Sequence, residues 1–128
     1  MGKTALIFGI LCSCVPLTSV YAKRSAPKDV ASVSHAGVRY QVVHYKADNG
    51  QQNGGYVEAI SGQDGKKLWS TLIYLIEYDL DLETDVQDCF ITSLQLDEGK
   101  SQLQVKNEVE GLYYVDLKTR KVMHVLRR

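Results

Sequence analysis

The chain has 128 residues, 15 basic and 15 acidic, so it carries no net formal charge, and 45% of it is hydrophobic. That balance excludes a generic nucleic-acid binder, whose affinity rests on a basic surface that displaces counterions. The length allows one folded domain with one core once any targeting segment is set aside.

The amino end has the layout of an export signal. Lys3 precedes an apolar run, Ala5 to Leu11, which Cys12, Cys14, Val15 and Leu17 extend around Pro16. Val20 and Ala22 fit the small-residue pattern ahead of a signal-peptidase cut, which places the signal at residues 1–22 and the mature protein in the periplasm or outside the cell. A spanning helix needs about 20 apolar residues. This run is shorter and holds a proline, so no membrane span is expected after cleavage. Leu11-Cys12-Ser13-Cys14 offers a rival cut, a lipoprotein box in which Cys14 bears the lipid and anchors the protein.

Cleavage after Ala22 removes Lys3, Cys12 and Cys14, leaving 14 basic and 15 acidic residues and Cys89 as the one thiol. No intramolecular disulfide can then form, although exported proteins commonly carry them. The fold must rest on burial and backbone pairing. Cys89 lies in an apolar stretch with no cationic neighbour in sequence, the setting of a small buried hydrophobe and not of a reactive thiolate.

Residues 23–36 are polar, small and aperiodic, and read as a flexible leader. Residues 37–128 read as a single β domain. Short runs rich in β-branched and aromatic residues fall at 38–46, 56–61, 67–78, 89–97, 101–107, 112–117 and 121–126, parted by turn residues. The third is the longest and is apolar on both faces, which predicts a central strand covered on both sides, with Trp69 buried. Ser101 to Lys106 alternates cleanly, as a strand with one wet face should. Seven strands with short links predict an all-β antiparallel meander, barrel-like or two-layer, with no helix outside the signal.

Gly55-Tyr-Val-Glu-Ala-Ile-Ser-Gly-Gln-Asp-Gly-Lys-Lys-Leu-Trp69 resembles the blade hairpin of quinoprotein-type (PQQ-like) β-propellers. Tyr113-Tyr-Val-Asp-Leu-Lys-Thr-Arg-Lys-Val122 resembles it again at an offset of 55, with Ile60 matching Val115, Asp64 matching Thr119 and Lys66 matching Lys121. Ser61, Arg120 and His124 depart from the Asp, Gly and Trp usual in that hairpin. The likeness covers some 25 residues; a propeller closes with about 4–8 blades, and this chain has room for two, so no quinone site is implied. Through Gly-x-Val-x-Ala-Ile at 55–60, Asp-Val-Gln-Asp-x-Phe-Ile-Thr-Ser-Leu at 85–94 and Val-Asp-Leu-Lys-Thr-Arg-Lys-Val at 115–122, the mature chain is also similar to small exported bacterial proteins of unassigned function, a likeness that brings no activity.

Chemistry is most concentrated between Glu77 and Asp88, where six carboxylates fall in a stretch with no Lys or Arg between Lys67 and Lys100. Asp79, Asp81, Glu83 and Asp85 alternate, so an extended backbone would line them along one face as a calcium site or a docking stripe. The pattern lacks the turn glycine and terminal bidentate Glu of a calcium-binding loop. A solvated connection that keeps a sheet edge from aggregating is the plainer reading. Asp88 and Trp69 complete the candidate binding residues. His35, His44 and His124 are too dispersed for a metal motif. No nucleophile elbow or phosphate loop occurs, and no catalytic residue is assigned. The expectation is an exported, non-catalytic β domain that binds an envelope or extracellular protein or a small ligand, with no cofactor unless calcium. The alternatives are a small envelope hydrolase with a carboxylate site and an assembly subunit that pairs through a strand edge.

Overall fold

The computed structural model describes residues 25–45 and 52–126; the segment 1–22 expected to be an export signal, with Cys14 as its rival lipid site, lies outside them. Eight strands form two four-stranded antiparallel sheets, each a meander in sequence order. The first contains β1 (Val33–His35), β2 (Val38–Val43), β3 (Tyr56–Ser61) and β4 (Lys67–Leu72). The second contains β5 (Ile91–Asp97), β6 (Gln102–Asn107), β7 (Leu112–Asp116) and β8 (Val122–Val125). Only two short 3₁₀ turns, Asp85–Gln87 and Glu98–Lys100, interrupt the β structure of the described residues. The sheets do not close into a barrel. They share one core, to which the first sheet gives Tyr40, Val57 and Ala59 and the second gives Leu94, Leu103, Val105, Tyr113 and Val115.

Two expectations are corrected. Strand β1 forms inside the segment read as a flexible leader, where Val33 pairs with Tyr40 and reaches the core. Its three residues are too few to leave a periodic signature. The run 67–78 is not a central strand. It pairs only through Leu72, at the sheet edge, with an exposed-to-intermediate pattern, while β3 is the strand buried on both faces. The cause lies in the partner: β3 begins at Tyr56, and Gly54 and Gly55 before it have φ of +85° and +91°, which turn the chain off the ladder. The Ile73 amide makes one further bond, to the Gly55 carbonyl at 2.7 Å. Beyond it the Gln52 side chain replaces a strand, donating to the Tyr74 carbonyl at 3.1 Å and accepting from the Ile76 amide at 2.9 Å. The apolar run then serves as the connection between sheets, with Ile73 in the core and Leu75 exposed.

The sequence half-repeat is a structural one. Each sheet ends in the same hairpin turn: the Ser61 amide bonds to the Lys66 carbonyl at 2.8 Å, and the Asp116 amide to the Lys121 carbonyl at 2.9 Å. Gly65 and Arg120 hold matching left-handed positions at φ +73° and +65° and donate back to the Ser61 and Asp116 carbonyls. Asp64 and Thr119 cap the amides of Lys66 and Lys121. Superposing these turns sets Tyr40 against Gln104 and Ala59 against Tyr114, since Tyr40 pairs with Ala59 and Gln104 with Tyr114. Tyr40 and Ala59 are buried in the shared core, whereas the core residues of the second sheet are their alternates, Leu103, Val105, Tyr113 and Val115. The repeats therefore stack front to back.

Candidate functional site

The acidic segment divides into two parts. Asp79, Asp81, Glu83 and Asp85 are exposed, on a loop ordered by a neutral side chain. Gln87 Nε2 donates to the carbonyls of Asp79 at 3.0 Å, Leu82 at 3.4 Å and Glu83 at 3.0 Å, while its Oε1 accepts from the Asp79 amide at 2.6 Å. The Asp79 carboxylate turns back to accept from the Asp81 amide at 2.9 Å. Three carbonyls of the loop thus already accept from one amide. The loop is turned, not extended as the expected stripe requires, and Leu80 is 91% exposed. Among the described residues no three His, Cys, Asp or Glu side chains are grouped to hold a metal ion.

Asp88 behaves differently. It is only 8% exposed, accepts from the Tyr78 hydroxyl at 2.5 Å and is approached by Asn53 Nδ2 at 3.4 Å. Burial, then the hydrogen bond to this carboxylate, pushes the Tyr78 phenol up to about 12. Asp88 and Asp85 face a cleft of about 250 Å³ whose other walls include Tyr45, Asn53, Phe90 and the leader residues Ser25 to Pro27. Phe90 is its floor: His44 meets that ring edge-on at 5.4 Å and Tyr45 at 6.3 Å. Phe90 also lines a second cleft, about 350 Å³, together with Lys28, Thr92 and Glu108. Ser25, Ala26 and Pro27 line both, and the segment is held by the Lys28 carbonyl against His44 Nε2 at 2.8 Å. His44 Nδ1 is buried and finds no partner among the described residues.

The other singled-out residues have structural work. Trp69 is half-buried on β4, tilted against Tyr40 at 5.8 Å, with the Arg120 guanidinium 6.0 Å from its ring. It lies on the core side of its sheet, opposite Ala59, and does not line the cleft. His124 stacks on Tyr113 at 4.4 Å, which stacks on Tyr74 at 5.3 Å. The Tyr74 hydroxyl donates to the Cys89 carbonyl at 2.6 Å, and burial holds its phenol far above the ordinary range. Burial also pushes the Cys89 thiol up, against a nucleophilic role. Cys89 precedes β5 and does not lie within it.

Of the predicted binding residues, the structure brings Asp85 and Asp88 together and leaves Asp79, Asp81, Glu83 and Trp69 apart from them. Tyr45, Asn53 and Phe90 were missed. Asn53 stood among the turn residues between two strand runs, and Phe90 in a strand run; neither carries a sequence signal for a cleft wall. No protein-family model matches the chain, and no curated protein matches it in sequence.

Proposed function

We propose that this is an exported, non-catalytic β domain that binds a ligand or partner outside the cytoplasm, and that the Asp85–Asp88 cleft recognises its organic cation, an amine or guanidinium. One observation carries the reading: two carboxylates and two aromatic rings, Tyr45 and Phe90, line the same small cleft. Carboxylates supply charge-assisted hydrogen bonds to such a group, and ring faces attract it through their quadrupoles. Tyr78 and Asn53 fix Asp88 in place, so little ordering is left to the moment of binding.

The quinoprotein-type likeness stays a proposal that rests on the residues of the two hairpins, each of which closes a four-stranded meander. The export reading rests on residues 1–22, and mass spectrometry of the mature amino terminus decides it: a free Lys23 supports the soluble form, a lipid-modified Cys14 the anchored one.

Calorimetric titration with agmatine and choline tests the binding. Saturable binding that weakens at least tenfold in Asp85→Asn and in Asp88→Asn, and weakens with added salt, is the expected result. Equal binding by wild type and both variants would remove the cleft from the function.

A further inference from the structure

Front-to-back stacking of two equivalent sheets has a consequence for the faces left outside. A front-to-back contact is heterologous: it always leaves one front and one back unmatched, and further copies can add at both. Here the open front is the outer face of the second sheet and the open back is the outer face of the first, where Ile60 of β3 is already buried while Arg39 is exposed and Gln41 and Glu58 are half-buried. The paired registers give the equivalences. Val38, Tyr40, Val42, Val57 and Ala59 of the buried front correspond to Gln102, Gln104, Lys106, Leu112 and Tyr114 of the open one. Leu103, Val105, Tyr113 and Val115 of the buried back correspond to Arg39, Gln41, Glu58 and Ile60.

The polar changes gather on the second strand of the repeat; on the third, Val57, Ala59 and Val115 answer to Leu112, Tyr114 and Ile60, and Tyr113 alone answers to a charge, Glu58. All three front positions on the second strand of the repeat turn from apolar to Gln, Gln and Lys, and both back positions there turn from Leu and Val to Arg and Gln. On the first sheet Gln41, Glu58 and Lys67 also form one network. Gln41 Nε2 donates to Glu58 Oε1 at 2.9 Å, and Lys67 Nζ stands 3.5 Å from Glu58 Oε2. Covering that network with another sheet would strip water from charges that gain no new partner, at a net cost.

We infer that the two outer faces are stack terminators, which keep a second copy of this chain from docking where the intramolecular geometry would otherwise repeat. Polar outer faces play this part at the ends of repeat arrays. The interface they suppress is defined residue by residue, so it can be restored one half at a time. A front variant carries Gln102→Val, Gln104→Tyr and Lys106→Val; a back variant carries Arg39→Leu, Gln41→Val and Glu58→Tyr.

Light scattering on size-exclusion columns reads the result, on protein purified from cells expressing the full chain. Wild type stays monomeric across a hundredfold concentration range. Each variant alone stays monomeric, because it offers one restored face and one terminated face. Their equimolar mixture forms a 1:1 dimer of twice the mass. Wild type that self-associates reversibly would overturn the inference without any variant being made. So would folded variants that stay monomeric when mixed, or that each assemble alone as readily as together.

Discussion

Replacing Gln52 by leucine removes a side chain that stands in for a strand. Gln52 is 4% exposed, and its amide makes three bonds to backbone groups: Gly54 carbonyl at 2.9 Å, Tyr74 carbonyl at 3.1 Å and Ile76 amide at 2.9 Å. Leucine fills similar volume, so packing is nearly conserved and the effect is one of hydrogen bonding. Each bond contributes about 0.5–1.5 kcal/mol net, and a buried group left unpaired costs about 1–3 kcal/mol. Two of the three bonds lie at partly exposed positions where water can substitute, so the sum comes to about 3 kcal/mol. That is a large share of the roughly 5–15 kcal/mol by which a domain is stable. Urea unfolding followed by tryptophan fluorescence measures it, as a lower midpoint at unchanged slope. A loss below about 1 kcal/mol would refute the claim that this amide takes over where the β3–β4 ladder ends.

Trp69→Ala should cost about 2 kcal/mol in the same assay, less than the roughly 3–5 kcal/mol of a fully buried ring, because β4 is an edge strand. Gly54→Ala and Gly65→Ala share a left-handed backbone, but an added methyl at Gly65 meets nothing within 4 Å and one at Gly54 lies 2.5 Å from the Cys89 carbonyl oxygen. The Gly65 change should cost about 1 kcal/mol and the Gly54 change at least about 2 kcal/mol more, by thermal or urea unfolding. Tyr78 gives a pH dependence. Its folded-state pKa of about 12 lies above the unfolded value of 10.0, so its contribution is complete below pH 10 and is lost as pH rises through 12. Stability measured by urea unfolding should therefore fall less steeply over that window in Tyr78→Phe than in wild type.

Much of the sheet pattern was readable because turn chemistry is local. Strand β3 forms over the residues predicted for it, and the Ser61–Lys66 and Asp116–Lys121 turns follow the repeat seen in the residues. What escaped was decided at a distance. The run 67–78 looks like a buried strand because its side chains are apolar, yet its length as a strand is set by where Gly54 and Gly55 turn the partner away. Strand β1 owes its existence to the open edge of β2, a feature of tertiary pairing. At the candidate site Asp85 and Asp88 were visible as charge, but alternation could not tell that Gln87 would curl the loop. Nor could it tell that Asp88 alone would turn inward to Tyr78. The walls contributed by Tyr45, Asn53 and Phe90 come from three separate segments, and no spacing rule joins them.

The most direct test of the binding claim asks where a cation goes. Backbone amide shifts of the labelled protein, followed during titration with agmatine, distinguish the cleft from diffuse attraction to the acidic loop. Binding in the cleft gives saturating shifts at Tyr45, Asn53, Asp85, Asp88 and Phe90, with Asp79, Asp81 and Glu83 nearly still. Shifts confined to 79–83, growing linearly and vanishing in salt, would contradict it.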